Sequence, residues 1–320
     1  MKSPAKLVFC GTPVFAVPTL EALLATGHEI ALVVSQPDRP AGRSQQLTAP
    51  PVKLAALAAG LPVTQPDKIR NNFEFRAQLE AISLDAIIVV AYGCIIPPWM
   101  LVLPRLGCIN LHGSLLPKYR GAAPIQWAVA MGDAFTGNTT MLLEEGLDTG
   151  PILLQQTVEI APDQSAVELF DVLAKAGAPL VVETLAGLAD GTIHPQPQNH
   201  EGATYAPLLD REDGRMDFAA RTATELKNRW RGFQPWPGAF TTLNGKKLIV
   251  HRMEVAGALP SPASAAAEPG DLRVENNRMF VACAGETWLE LLEVQLEGKK
   301  RLAAAEFLRG TPLGPDARFG

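Results

Sequence analysis

Apolar and polar positions follow two alternating periods along the first ninety residues. Lys6–Cys10 and Glu29–Ser35 carry apolar runs of strand length, and Ala86–Ala91 a third that is continuously apolar. Between them Val17–Ala25, Val52–Ala59 and Phe73–Ile82 carry helical spacing, the first two stopped at Gly27 and Gly60. A continuous apolar run suits a parallel strand covered on both faces. Strand and helix in alternation therefore predict an α/β domain, a doubly wound and mostly parallel sheet. Further on, Gly107–His112 reads as a strand, Pro124–Met131 as a helix and Thr139–Glu144 as a strand. Ala166–Ala189 is a long amphipathic helix that closes the domain, with Val167, Phe170, Leu173, Ala174, Ala178 and Val181 near the 3.6-residue period.

The period is lost at Ile193–Ala206, a stretch of Pro, Gln, Asn and His that reads as a linker or an ordered surface loop. Beyond it Thr222–Trp230 predicts a helix, and Ala239–Leu243 and Lys246–Met253 flank Asn244-Gly245, a strong hairpin signal. Leu272–Val274, Met279–Ala282 and Trp288–Gln295 follow as short strands, the first two joined by Asn276-Asn277, and Arg301–Leu308 as a closing helix. Short strands at close spacing predict a small OB-like β-barrel, with Ala256–Pro269 expected to be a mobile loop within it. The expected domains are thus 1–205, the α/β unit, and 206–320, barrel-like.

Composition supports two folded domains: 320 residues, 47% apolar and 19% charged. Gly and Pro, 27 of each, show no G-X-Y period, which excludes a collagen-like chain. No uninterrupted apolar run approaches the ~20 residues of a membrane span, and Met1–Lys6 leads straight into a strand without a secretory h-region. A cytoplasmic location is expected. Cys10, Cys94, Cys108 and Cys283 lack any CxxC spacing and are expected to be buried free thiols, and the five histidines are scattered, so no metal site is expected. The net charge of −5 argues against a general nucleic-acid binder. It hides a split, however: 12 Lys+Arg against 18 Asp+Glu through Tyr205, then 16 against 15.

Candidate chemistry gathers at Asn110–Gly121. On a strand ending at His112, Asn110 and His112 project from one face, near the carboxyl end where open α/β sheets hold ligands. The loop Glu145–Gly150, with glycines at 146 and 150, can bring Asp148 to the same crevice. Without GxSxG or a nucleophilic Ser or Cys beside the histidine, covalent acyl catalysis is disfavoured. Gly11-Thr12-Pro13 is neither GxGxxG nor a Walker loop. An amide donor, an imidazole and a carboxylate fit direct acyl transfer to an amine.

At these residues the chain resembles a known family. Asn110–Gly121 is similar to the N-L-H-x-S-L-L-P-x-Y-R-G signature of folate-dependent formyltransferases, and Gly137–Gly150 to their second segment ending in L-D-T-G. The similarity extends from Phe9–Pro13 through Ser35–Arg43 to Pro235–Ala239. The resemblance implies that Asn110, His112 and Asp148 are catalytic and that 10-formyltetrahydrofolate is the formyl donor. It implies a folate pocket lined by Ala91, Tyr92, Gly93, Cys94 and Ile95, by Ser114, Leu115, Leu116 and Pro117, and by Leu142 and Glu145. It further implies methionyl initiator tRNA as acceptor and a monomeric enzyme.

In tRNA-acting members the segment matching Pro37–Pro51 is a basic inserted loop. Here Arg39 and Arg43 remain, while Ser44-Gln45-Gln46 replaces the usual lysines. Lys227, Arg229, Arg231, Lys246, Lys247 and Arg252 offer a possible tRNA-facing stripe on the barrel module, a fold that often binds nucleic acid. Two rival readings stay open: N-formylation of an amino sugar or other small amine, and folate or RNA binding without catalysis.

Overall fold

The computed structural model describes residues 4–42, 46–257, 267–311, 313–314 and 317–320. Arg43, Ser44 and Gln45, and most of the expected loop Ala256–Pro269, lie outside the described residues. The chain divides into two compact units. The first holds 1–125, 135–160 and 168–207; the second holds 126–134, 161–167 and 208–320. Each is therefore discontinuous along the sequence.

In chain order the first half forms β1 (Lys6–Gly11), α1 (Val17–Ala25), β2 (Glu29–Val34), β3 (Arg39–Ala41), β4 (Gln46–Thr48), α2 (Pro51–Ala58), β5 (Val63–Thr64) and α3 (Phe73–Glu80). Then come β6 (Ala86–Val90), α4 (Pro98–Leu101), β7 (Cys108–His112), α5 (Pro124–Ala130), β8 (Phe135–Leu142), β9 (Ile152–Glu159) and α6 (Ala166–Asp190). The first unit's sheet has the order β5-β2-β1-β6-β7-β8-β9 among the described residues. Pairing is parallel from β5 to β7 and antiparallel from β7 to β9. Every residue of β6 is buried, as its unbroken apolar run requires. One face packs Val8, Cys10, Ile87 and Val89 with Phe75 and Leu79 of α3. On the other face α6 lies so close that a Cβ on Gly177 would fall 2.6 Å from Leu111. By length and composition α6 could cross a membrane. Here it is a core helix that buries Leu169, Leu173, Val181 and Leu185.

Three expectations change. The strand expected over Thr139–Glu144 runs from Phe135 to Leu142, and β9, β5 and α4 carry no signal in the periodicity. The segment 37–51 is not a plain loop, since β3 and β4 pair antiparallel, Arg39 opposite Thr48 and Ala41 opposite Gln46. Its base is pinned by Asp38, which accepts from Lys53 at 2.8 Å and from Gln65 Nε2 at 2.8 Å. These hydrogen bonds hold the Asp38 carboxyl below the usual carboxylate range. Of the four thiols, Cys94 is exposed; the other three are buried, and burial pushes Cys108 and Cys283 up to about 12.

The second unit carries α7 (Ala223–Gly232), β10 (Phe240–Leu243), β11 (Lys246–Val255), β12 (Leu272–Glu275), β13 (Arg278–Cys283), β14 (Thr287–Leu296), β15 (Leu302–Ala303) and α8 (Ala304–Gly310). Thr222 and Glu225 form a reciprocal capping box at the start of α7. The antiparallel order is β10-β11-β14-β13-β12, with β15 on β14. Both expected hairpins form: Asn244 and Gly245 have φ of +51° and +73°, and Asn276 and Asn277 +52° and +60°. Phe319 bridges to Leu243 of β10 and Arg318 to Asp271 beside β12, so these residues join the two sheet edges and close the barrel. Leu248, Val250, Met279, Val281, Leu289 and Leu291 fill it.

Candidate active site

The strand order reverses between β1 and β6, the switch point at which open α/β sheets bind ligands. Thr12, just past β1, donates its hydroxyl to the Tyr92 carbonyl at 2.9 Å, tying the β1 turn to the loop after β6. β7 follows directly, with Asn110 opposite Val89 and Met141 and His112 opposite Thr139. Two residues apart on one strand, Asn110 and His112 share a face, as their spacing predicts.

His112 is buried, and its Nε2–H donates to the Tyr119 carbonyl at 2.9 Å. A carbonyl can only accept, so the proton sits on Nε2 and the lone pair of the neutral ring on Nδ1. Nδ1 lies 3.7 Å from Asp148 Oδ2, and that oxygen accepts from the Gly121 amide at 2.8 Å. Asn110 is half-buried, and its carboxamide has no protein partner among the described residues. The structure thus joins His112 to Asp148 across 36 residues of sequence and leaves Asn110 with unused donors beside them.

Three residues here carry backbone strain. Ala91, Tyr119 and Asp148 all have positive φ, +46°, +60° and +50°. Such conformations cost about 1–3 kcal/mol each outside glycine and collect at functional sites. Gly150 is obligatory for a different reason: a Cβ there would lie 1.9 Å from the Leu142 carbonyl oxygen.

The residues expected to line the pocket divide into two groups. Ala91, Gly93, Cys94 and Ile95 are exposed on the loop after β6, and Glu145 is exposed on the loop after β8. Pro117, Leu115 and Leu142 are half-buried, Leu115 beside Gly137 and Leu142 beneath Gly107. Tyr92, Ser114 and Leu116 depart from the expectation, because their side chains point inward. Tyr92 is 2% exposed within the α3-side core, and burial raises its phenol pKa. Ser114 Oγ donates to the Lys118 carbonyl at 2.6 Å, holding the turn, and Leu116 is buried.

The expected cationic stripe on the second unit also changes. Lys227 is held between Asp163 at 2.7 Å and Glu254 at 2.5 Å; burial lowers its pKa, but these hydrogen bonds outweigh burial and the net shift is upward. Arg229 lies over the rings of Trp127 and Phe233 and donates to the Asp213 carbonyl at 2.9 Å. Arg231, 5% exposed, donates to the Gln164 carbonyl and to Asn228 Oδ1, both at 2.7 Å. These three cations build the unit and do not face solvent as a stripe. Arg252 pairs with Glu293 at 3.6 Å. Lys246 is exposed on β11, Lys247 Nζ sits 3.7 Å over the Phe240 ring, and Arg39 is exposed on β3.

Sequence reasoning missed Gln198 and the role of Arg120. Arg120 stands inside the quoted signature, yet nothing local says that its guanidinium is buried. Gln198 lies in the stretch without period, where no local signal marks it. Among the described residues no group of three or more His, Cys, Asp or Glu could hold a metal ion.

Comparison with known proteins places this geometry. The formyl transferase model matches residues 5–185, and the model of the formyl transferase C-terminal domain matches 208–312. The methionyl-tRNA formyltransferase of Acidobacterium capsulatum is 66% identical over 315 residues, covering 98% of this chain and 99% of that protein. That of Koribacter versatilis is 58% identical over 304 residues, 95% of each. Among solved structures, the N-formyltransferase from Helicobacter canadensis in complex with folinic acid and dTDP-3-aminofucose superposes with a TM-score of 0.65 at 17% identity. It covers 90% of this chain and 98% of that one, a likeness of fold. With more than half its length matched by one family model and near-complete alignment to such relatives, the chain belongs to the formyl transferase family.

Proposed function

We propose that the chain transfers the formyl group of 10-formyltetrahydrofolate to the α-amino group of methionyl initiator tRNA. The observation that carries this reading is the 66% identity, running through both units, to a methionyl-tRNA formyltransferase. The site suits a folate donor. Ala91, Gly93, Cys94 and Ile95 are exposed, a Cβ on Gly93 would meet nothing within 4 Å, and the Asn110 carboxamide has donors to offer.

Transfer is direct: the amine nitrogen bonds to the formyl carbon, the bond from that carbon to the folate nitrogen breaks, and the proton lost by the amine ends on that nitrogen. Asn110 donates to the formyl oxygen as negative charge develops, a contribution of roughly 3–4 kcal/mol for such a donor. His112 carries the proton at Nδ1, the nitrogen left free by the Tyr119 bond. The Asp148 carboxylate, 3.7 Å from Nδ1, stabilises the imidazolium that forms. A free α-amino group, with pKa near ~7.7–8.0, is about 10–15% neutral at pH 7, so supplying the neutral nucleophile costs only about 1 kcal/mol. Cations for the tRNA phosphates are assigned to Arg39 and Arg43 and to Lys246 and Lys247. The enzyme is read as a cytoplasmic monomer.

The test is mass spectrometry of charged initiator tRNA after incubation with the protein and the formyl-folate, beside a parallel reaction with an amino-sugar nucleotide. Formyl-methionyl-tRNA is expected; a formylated sugar and unchanged tRNA would replace this reading with the sugar-acting one.

A further inference from the structure

We propose that Gln198 is a positioning residue that sets the Asp148 carboxylate against His112, an inference that rests on the reading of Asp148 given above. Gln198 is 6% exposed, and its carboxamide uses its full bonding capacity. Oε1 accepts from Arg120 Nε at 3.1 Å and Nη2 at 2.6 Å. Nε2 donates to the Asp148 carbonyl at 2.9 Å and to the Gly150 carbonyl at 2.7 Å. Only this orientation of the amide works, since exchanging its oxygen and nitrogen would oppose two carbonyls with an acceptor and the guanidinium with a donor. Arg120 is itself buried, with Nη2 3.1 Å from His200 Nδ1, so the Gln198 oxygen is held from behind.

The loop that carries Asp148 needs such a clamp. Glu144, Glu145, Gly146 and Leu147 are exposed, and Asp148 follows in a left-handed conformation. Beyond its side-chain bond to the Gly121 amide, the loop is tied down by the two donations from Gln198. Releasing them frees the carboxylate to drift from Nδ1, and a misplacement of about 1 Å costs on the order of 100-fold in rate.

The decisive substitution is Gln198→Glu. It keeps the acceptor for Arg120 but turns both donations to the loop into acceptor-to-acceptor contacts. The expected result is a kcat lower by about 10–100-fold, KM for folate and tRNA within about 3-fold, and faster hydrogen exchange at the Gly121 amide with β6 still protected. On an Asp148→Asn background the same change is expected to add no further loss, because both act through one carboxylate. Unchanged kcat and Gly121 protection would overturn the proposal, as would an equal additional loss in the double variant. Full turnover by Asp148→Asn alone would instead overturn the functional reading of Asp148, and the positioning role with it. Should Gln198→Glu fail to fold, Gln198→Met, which lacks all four bonds, enters the same cycle with the same expectations.

Discussion

Asn110, His112 and Asp148 in the first unit and Lys227, Arg229 and Arg231 in the second are both sets of polar residues that the sequence offers for chemistry, and the fold treats them in opposite ways. The first set is anchored on one side and left open on the other: His112 gives Nε2 to a carbonyl and keeps Nδ1, and Asn110 keeps its donors. The second set is held by carbonyls, carboxylates and aromatic rings. The difference lies in what each prediction rests on. Period-2 spacing on a strand determines which way a side chain points, whereas charge on a short helix says nothing about which distant segment will cover it. For α7 those segments are 126–134 and 161–167, far away in sequence.

The largest expected effect tests the open set. Asn110→Ala is expected to lower kcat/KM with charged tRNA by about 10²–10³-fold, and His112→Ala by about 10²–10⁴-fold, with the unfolding midpoint retained. A loss of turnover matched by a loss of stability would erase the contrast. The engaged set should behave the other way. Arg231→Ala is expected to cost about 2–3 kcal/mol in urea unfolding, as for buried charge-assisted hydrogen bonds, while KM for tRNA moves less than about 2-fold. Lys246→Ala with Lys247→Ala should reverse that pattern, raising KM for tRNA a few-fold and flattening its salt dependence, with a stability loss of no more than about 1 kcal/mol from the Lys247–Phe240 contact.

The smallest effect is a pH dependence. Because the net pKa of Lys227 is raised in the fold, its contribution is fully present below the unfolded lysine value near ~10.4 and is lost as pH rises through the higher folded value. The stability difference between the native chain and Lys227→Met, measured from neutral to strongly alkaline pH, should shrink at the alkaline end. Its partners are exposed, so the amplitude is expected to stay under about 1 kcal/mol.

Much of the architecture is legible because it rests on local pattern. β6 is an unbroken apolar run, and the two hairpins have turn residues that accept positive φ. β8 misleads for a physical reason: Thr136, Asn138, Thr139 and Thr140 are all buried there, so a core strand reads as polar. α6 satisfies part of that polarity, since Asn138 donates to the Leu173 carbonyl and Thr140 meets the Thr184 hydroxyl at 2.7 Å. β9 exposes three consecutive residues at Gln155–Thr157 and so lacks a strand-like alternation. At the site, the spacing of Asn110 and His112 foretells their common face. Tyr92 and Ser114, by contrast, point inward because the core and a turn claim them, and Gln198 is invisible because its partners stand at 120, 148 and 150.

The interleaving of the two units bears on how such a chain can change over evolutionary time. Arg231 reaches carbonyls at 161 and 164, and Gly232 packs so tightly on α5 that a Cβ would lie 2.6 Å from the Gln126 carbonyl oxygen. A single recombination crossover near residue 207 would therefore part α7 from the short segments that complete its unit. A barrel inherited from a diverged relative would arrive with its cations facing the wrong partners, so the two halves are expected to have travelled together.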